Sequence, residues 1–513
     1  MIAVVGETSG VREAAISSII LAIDVGSTNV KAAVVGASGP LAVSTVPQTT
    51  REPEVGAREH EPSETWEAVL TAAGAALRDA RGASIEAIAV AGPRGSFGLV
   101  GDDRQARTPT YTWQDTRAAG TADELARRLD PGVRARTGTR LDASTVAPKL
   151  VWLAQRSPGL LDESVVAATP QALTLMELGA DAAVVDLPTA AHFGVLDVAR
   201  LTWDVDLLAT IALRADVLPA IVPAGAIVGS LSPAVARRLV LPERLPLVAA
   251  GSDGVCAELG AGVVDQGSLY GYLGTAATVA GPLDAVRIVT DPSLIVMPGS
   301  RADRWRLLGL ASAGASVLDW YRSVSGDWDA AGIDDLVGQS PPGAHGVVCL
   351  PTLAGATWPR PSGFARGVFA GLSFASSRAD LARSVLEGVA TQMRGMIGVF
   401  GAEIGQPVEL RLTGGAMRSR AWARVVADVS GLPVARVLDP DPGLRGIAAY
   451  AETALGYHDD VLDAARALRA EFEMIEPDRS LSNVYEDLAE AYNAMRLMFA
   501  DAGFDEALYR RVR

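Results

Sequence analysis

The stretch that most constrains this chain is Leu21 to Val35, LAIDVGSTNVKAAVV. Two apolar runs of strand length flank a short polar turn, and an acid closes the first run at Asp24. The turn is Gly26-Ser27-Thr28-Asn29, and Lys31 opens the return strand. Glycine lets the backbone come close to a bulky anion. The free N–H and hydroxyl groups of such a turn can hold phosphate oxygens. A carboxylate at the strand end can hold a hydrated Mg²⁺ beside them. The pattern is not a P-loop, which requires GxxxxGK[ST]. An ordinary hairpin turn reads the same way.

Beyond this stretch the chain is long. At 513 residues it exceeds one ordinary hydrophobic core, so two domains are expected. A formal net charge of −15 argues against a general nucleic-acid or membrane-surface binder. It does not exclude a small anion, which local donors decide. Cys256 and Cys349 are the only cysteines and read as reduced, buried thiols. His60, His192, His345 and His458 form no close ligand motif, so no zinc site is expected. No run of about eighteen apolar residues is free of charges and turn signals. The start lacks the plan of a signal peptide, and a cytoplasmic protein is expected.

Strands, then a helix over 63–77 with Trp66, Val69, Leu70 and Leu77 at helical spacing, then a strand over 85–91 predict an α/β domain with a mixed sheet. The loop after that last strand, GPRGSF, places Arg94 and Gly95 where ligands of open α/β sheets usually bind. Arg94 there can donate several hydrogen bonds to a polyhydroxylated or anionic substrate. A surface arginine on a turn accounts for it equally. In TYTWQDTR, Trp113 and Asp115 suit sugar recognition by an aromatic face and a fixed acid. A short core strand explains Tyr111 and Trp113 as simply, and Asp115 also suits a helix cap near Ala118. Lys149, before a helix over 150–155, either faces a cleft or lies on the surface. His192 reads as structural.

Further along, the run 247–250 ends in Gly251-Ser252-Asp253-Gly254. Asp253 can orient or remove a hydroxyl proton. It can also be the N-cap of the following helix, and the local sequence does not separate the two roles. Ser268 to Ala280 again sets a Gly-Thr pair, Gly274-Thr275, between apolar runs, a second phosphate-facing turn. A helix is expected over 313–322, with Gly314 near its start. The longest helix is expected over 379–397, where Leu381, Val385, Leu386, Val389 and Met393 recur. A strand over 410–413 delivers Gly414-Gly415-Ala416 to a helix, a turn that permits close approach of a nucleotide.

Taken together and in order, DVGSTNVK, WQDTR, GSDG, GYLGTA and LTGGAMRS resemble the FGGY carbohydrate kinases over approximately residues 20–480. The resemblance implies two ribonuclease-H-like (actin-like ATPase) domains with mixed sheets and a central cleft, where ATP and a sugar meet. It divides the chain into an extension at 1–20, a sugar and phosphate domain at 21–250, a nucleotide domain at 251–480 and a helical tail at 481–513. Asp24 then matches the acid acting through Mg²⁺, and Gly26, Ser27, Thr28 and Lys31 match the phosphate turn. Asp253 matches the base, beside substrate and metal. Gly274, Thr275 and Gly314 match nucleotide-side positions, and Gly415, Ala416 and Ser419 match the adenine-side loop. Arg94, Gly95, Trp113 and Asp115 fall on the sugar side.

The implied reaction is ATP-dependent phosphorylation of a small sugar, with a pentulose such as xylulose first and a gluconate-like sugar acid or polyol as the alternative. A homodimer is admitted. Gly95 follows Arg94 where glycerol kinases carry an Arg-Glu pair, which disfavours glycerol. Pro-Arg-Gly also departs from the Met-His-Gly-like piece of xylulose kinases. Two competing readings are a nucleotide-dependent regulator on the same core and a sugar-binding module without chemistry.

Overall fold

The computed structural model describes residues 18–162, 164–287, 289, 291, 293–326 and 330–501. Most of the expected N-terminal extension and the end of the C-terminal tail lie outside them.

Two sheets carry the fold. Numbering only their strands, the first has β1 (Ile20–Val25), β2 (Asn29–Gly36), β3 (Gly39–Pro47), β4 (Ala87–Ala91), β5 (Ala226–Ser230) and β6 (Pro246–Ala249), in the order β5-β6-β4-β1-β2-β3. The second has β7 (Ser268–Leu273), β8 (Ala277–Leu283), β9 (Leu294–Pro298), β10 (Trp305–Ala311), β11 (Glu409–Thr413), β12 (Val434–Val437) and β13 (Phe472–Ile475), in the order β9-β10-β8-β7-β11-β12-β13. β1 pairs antiparallel with β2 and parallel with β4, and β7 pairs antiparallel with β8 and parallel with β11. Outward from these pairs the same alternation repeats in both sheets, with β9 as one added edge strand. The similarity between the halves, loose in sequence, is therefore a repeated topology. It places the turns at 26–28 and 274–276 at equivalent positions.

Side-chain patterning explains the strand positions. β4 is a continuous apolar run and β1 is apolar apart from Asp24, both buried almost throughout, as central strands covered on both faces must be. β3, on the edge, alternates buried with exposed residues along most of its length.

The helices that matter to the site are α1 (Pro62–Asp79), α2 (Val146–Arg156), α3 (Pro170–Leu178), α4 (Pro233–Leu239), α5 (Asp253–Ala261), α6 (Ala315–Ser325), α7 (Arg378–Ile404), α8 (Arg420–Ser430), α9 (Gly443–Ala454), α10 (Val461–Leu468) and α11 (Ser482–Asp501). α1, α3 and α4 cover one face of the first sheet. Its other face packs on α5, α9 and α10, so residues 443–468 return from the second half of the chain to the first sheet. Small residues make that return possible: a Cβ on Gly446 would sit 1.9 Å from the Cys256 carbonyl oxygen, and one on Gly260 1.7 Å from that of Pro442.

α6, α7, α8 and α11 share the core of the second sheet. α7 starts on a capping box, in which the Ser377 and Asp380 side chains each bond the other's backbone N–H. Residues 97–218 form a separate core that packs against Tyr270, Ala280, Met297 and Leu308 of the second sheet. The helix expected over 150–155 starts earlier, at Val146, and takes in Pro148 and Lys149. Residues 187–203 hold two short helical turns, Leu187–Ala190 and Ala191–Phe193, and the strand pair of Leu196–Asp197 with Thr202–Trp203. After α10, residues 472–475 add the edge strand β13. Among the described residues no helix is long and apolar enough to cross a membrane.

Candidate active site

Asp24 lies near the end of β1, in register with Lys31 of β2 and Ala91 of β4. The turn after it is tight: a Cβ on Gly26 would lie 2.9 Å from the Asn29 carbonyl oxygen. Thr28 is exposed, and Ser27 Oγ accepts a hydrogen bond from Trp113 Nε1 at 3.1 Å. Asp24 Oδ1 is sealed from solvent and has no hydrogen-bond partner among the described residues. Burial, then repulsion from Asp253, push the Asp24 carboxyl up to about 7, against the pull of Lys31. Lys31 itself is ion-paired with Asp441, which comes from the loop before α9.

Asp253 opens α5, and its N–H donates to the Gly92 carbonyl at 3.1 Å. Ser252, not Asp253, occupies the N-cap position. Among the described residues the Asp253 carboxylate accepts only the adjacent Gly254 N–H, at 2.6 Å. The capping role left open by the sequence is thus not the one it performs. Burial raises its pKa, while Arg94, the Gly254 N–H and Arg306 act in the opposite sense.

In the loop after β4, Arg94 reaches Met297 Sδ with Nη1 at 2.8 Å. Burial and the nearby Arg306 hold its pKa down to about 10. Gly95 has φ +75°, and a Cβ there would meet the Ser144 carbonyl oxygen at 2.4 Å and His192 Cδ2 at 2.6 Å. Only glycine suits both that backbone and that space. His192, read as structural from sequence, therefore stands against the Arg94–Gly95 loop, its Nε2 3.3 Å from Ser144 Oγ and its Nδ1 unpaired among the described residues. Burial, then Arg94, push its pKa down to about 3, so it is neutral at physiological pH.

Trp113 is 43% exposed and is not the core residue a short strand implied; Tyr111 beside it is buried. Asp115 corrects the expectation of a sugar contact. It is buried, and its oxygens accept from the Arg117 guanidinium and from the Arg58 and Arg117 N–H groups. Arg117 also pairs with Glu54 and Glu59. The acid is consumed in folding its own loop, and it does not cap the helix that begins at Ala119. Lys149 is neither on the surface nor open to a cleft. It is 2% exposed and donates to the carbonyls of Thr112, Gly95 and Ser144 at 3.0, 3.2 and 3.4 Å. One ammonium thus ties together the loops that carry Arg94, Trp113 and the wall at Ser144.

On the second sheet, Gly274 and Thr275 meet Gly314. The N–H groups of Gly314 and Ala315 donate to the carbonyls of Thr275 and Gly274 at 3.0 and 2.6 Å. A Cβ on Gly314 would lie 2.4 Å from Ala276 backbone atoms. Gly314 is the N-cap of α6 rather than a residue within it. Gly414, with φ +101°, presses on the Leu273 backbone and so brings the Gly415-Ala416 turn to the same edge. Gly415 is exposed and Ala416 is buried. Ser419 departs from the expected adenine-side contact: its hydroxyl caps α8 through the Trp422 N–H at 3.0 Å and donates to Asp334.

Sequence reasoning missed Asp441, Tyr272, Arg306 and Glu258. Tyr272 lies over the second turn, 2.3 Å from where a Cβ on Gly274 would be, and feels Lys31, Asp253 and Asp441. Asp441 had a usable signal. It follows β12 as Asp253 follows β6, and the two strands are topologically equivalent.

Unpaired Asp24 Oδ1 is the observation that tests for a cation. A buried carboxylate oxygen without a donor, beside a second carboxylate, fits a divalent ion. Among the described residues no group of three or more His, Cys, Asp or Glu could hold a metal ion. Mg²⁺ suits such a site, because it is commonly held by one or two carboxylates, waters and substrate phosphates.

Comparison with known proteins bears on the whole arrangement. The N-terminal domain model of the FGGY family of carbohydrate kinases matches residues 19–260, and the C-terminal domain model matches residues 272–455. A xylulose kinase of Escherichia coli (strain K12) is 27% identical over 477 residues, covering 93% of this chain and 98% of that protein. A glycerol kinase of Gloeobacter violaceus is 30% identical over 477 residues, covering 90% and 93%. Among solved structures, xylulose kinase from Rhodospirillum rubrum superposes with a TM-score of 0.87 at 26% identity, covering 95% of this chain and all (100%) of the other.

Proposed function

The chain belongs to the FGGY family of carbohydrate kinases and is an ATP-dependent sugar kinase, and we propose that Asp253 is the base that takes the proton of the sugar hydroxyl it phosphorylates. The observation that carries this is the state of the Asp253 carboxylate. It opens a helix without capping it, keeps a single local hydrogen bond among the described residues, and interacts electrostatically with Arg94 and Asp24. Such a group is available to a bound hydroxyl.

In the proposed step the hydroxyl oxygen forms a bond to the γ-phosphorus, the bond from that phosphorus to the bridging oxygen of ADP breaks, and the hydroxyl proton passes to Asp253. The turns at 26–28 and 274–275 offer backbone and hydroxyl donors to the phosphates. Mg²⁺, when bound, neutralises charge on the phosphates, and Asp24 and Asp253 are the acids proposed to hold it. Trp113, fixed by its bond to Ser27, couples the sugar loop to the first turn. A cytoplasmic setting, where ATP is available, belongs to the same proposal. For the acceptor, a pentulose such as xylulose and a sugar acid both fit a small polyhydroxylated substrate. Glycerol fits less well, since Gly95 leaves Arg94 without a neighbouring acid.

Asp253→Asn tests the assignment. Turnover should fall roughly a hundredfold or more, the scale of a positioned acid–base group. Mg·ATP binding by calorimetry should change far less, and the melting temperature should stay near the parent's. Near-parental turnover in the folded variant sinks the assignment. ATP turnover that no sugar stimulates, with no phosphorylated product, would point instead to a nucleotide-dependent regulator.

A further inference from the structure

Two guanidinium groups converge beside Asp253. Arg306, on β10, is 3% exposed and is ion-paired through Nη2 with Glu258 of α5. Its Nη1 and the Nη2 of Arg94 lie 3.7 and 3.8 Å from the point a Cβ would occupy on Gly254. Both arginines also approach Met297 Sδ, at 2.8 Å from Arg94 and 3.9 Å from Arg306. A thioether is a weak acceptor and neutralises neither.

Three acids act on Arg94 from a distance: Asp253, Glu258 and Asp186. None is within hydrogen-bonding distance of it, and each has another task. Glu258 is spent on Arg306. Asp186 Oδ1 accepts the Thr189 N–H at 3.0 Å, capping the turn 187–190. Asp253 serves the hydroxyl and the metal in the reading above. His192, next to Gly95, is neutral. Among the described residues, Arg94 therefore has no carboxylate partner, and a second cation stands beside it.

A substrate hydroxyl can accept from such a pair but leaves the repulsion in place. A carboxylate accepts several charge-assisted bonds and removes the repulsion. We infer that the sugar taken by this site carries a carboxylate seated between Arg94 and Arg306, making the substrate an aldonate-class sugar acid rather than a neutral ketose or polyol. The inference rests on the kinase reading above.

The test uses the full chain with Mg·ATP and a coupled assay of ADP release. D-gluconate is paired with D-glucitol, and D-xylonate with D-xylulose. An aldonate should be preferred over its neutral partner by at least about tenfold in kcat/KM, the scale of a charge-assisted hydrogen bond. Arg94→Gln should cut that ratio by roughly ten- to a hundredfold, and Arg94→Lys should restore part of it. A parent enzyme that prefers the neutral member of each pair overturns the inference by itself, whether or not the variants fold. Equal losses on both members in Arg94→Gln also overturn it. Both results leave the kinase reading standing. Absence of sugar-dependent ADP release across the panel would instead overturn the kinase reading, and this inference with it.

Discussion

Gly446→Ala sets helix propensity against packing, and the structure decides between them. Gly446 lies inside α9, where alanine would ordinarily stabilise by roughly 0.5–1 kcal/mol. Here the added Cβ would sit 1.9 Å from the Cys256 carbonyl oxygen and 2.8 Å from its Cα. Those are backbone atoms of α5, so no rotamer change relieves the overlap. Restoring ordinary contact requires the two helices to part by about 1.5 Å. That movement loosens Val255, Cys256 and Leu259 from Leu444, Ile447 and Ala448, all essentially fully buried. Overpacking of a tight core costs about 1–3 kcal/mol, and the upper part of that range applies where backbone must move. The net expectation is a loss of about 2 kcal/mol, or roughly 4–8 °C in melting temperature. Because α5 begins at Asp253, turnover should fall as well. Gly398→Ala is the control. It lies in α7, is exposed, and has nothing within 4 Å of its added Cβ, so it should gain roughly 0.5–1 kcal/mol. Thermal melts and urea titrations of both variants are the assay. A Gly446→Ala protein as stable as the parent, or shifts of the same sign in both variants, would refute the packing argument.

Two further outcomes are expected. Burial holds the Lys149 ammonium's pKa down to about 8, against an ordinary lysine value of 10.5. The native chain thus releases this proton before the unfolded chain does. The burial cost is present below pH about 8 and fades toward pH about 10.4, a change on the order of 3 kcal/mol. Relative to Lys149→Met, the parent should therefore gain stability across that window in paired unfolding titrations. A pH-independent difference would show that Lys149 titrates like an exposed lysine. Asp24→Ala should impair Mg²⁺-dependent turnover more than sugar binding, and superimposable metal titrations of variant and parent would remove Asp24 from the metal site.

Much of the site was legible locally because its parts are local. An apolar run ending in an acid, a glycine turn and a return strand occupy fifteen consecutive residues, and their backbone requirements are met within that span. The helical recurrence through Met393 predicted α7 in the same way, and its capping box lies within four residues. Asp253 was found at a strand-to-helix junction, but its role was not separable there. The base and cap readings share one residue type, and only the observed cap at Ser252 distinguishes them.

What sequence by itself determined was the kind of chemistry: two glycine turns, two strand-end acids and a sugar-side arginine, in an order that implied a carbohydrate kinase. Tertiary structure alone decided which polar groups remain free to act. Asp115 is claimed by Arg117 two residues away, yet Lys149 is claimed by carbonyls as far as 54 residues distant, and Lys31 by Asp441 at a separation of 410. Arg94 and Arg306, on loops and strands of different sheets, become neighbours through long-range packing, including that of residues 97–218 against the second sheet. A side chain's availability depends on who else competes for it in a desolvated space, where an unmet charge is costly. That competition is set by packing between distant segments, and no single segment encodes it.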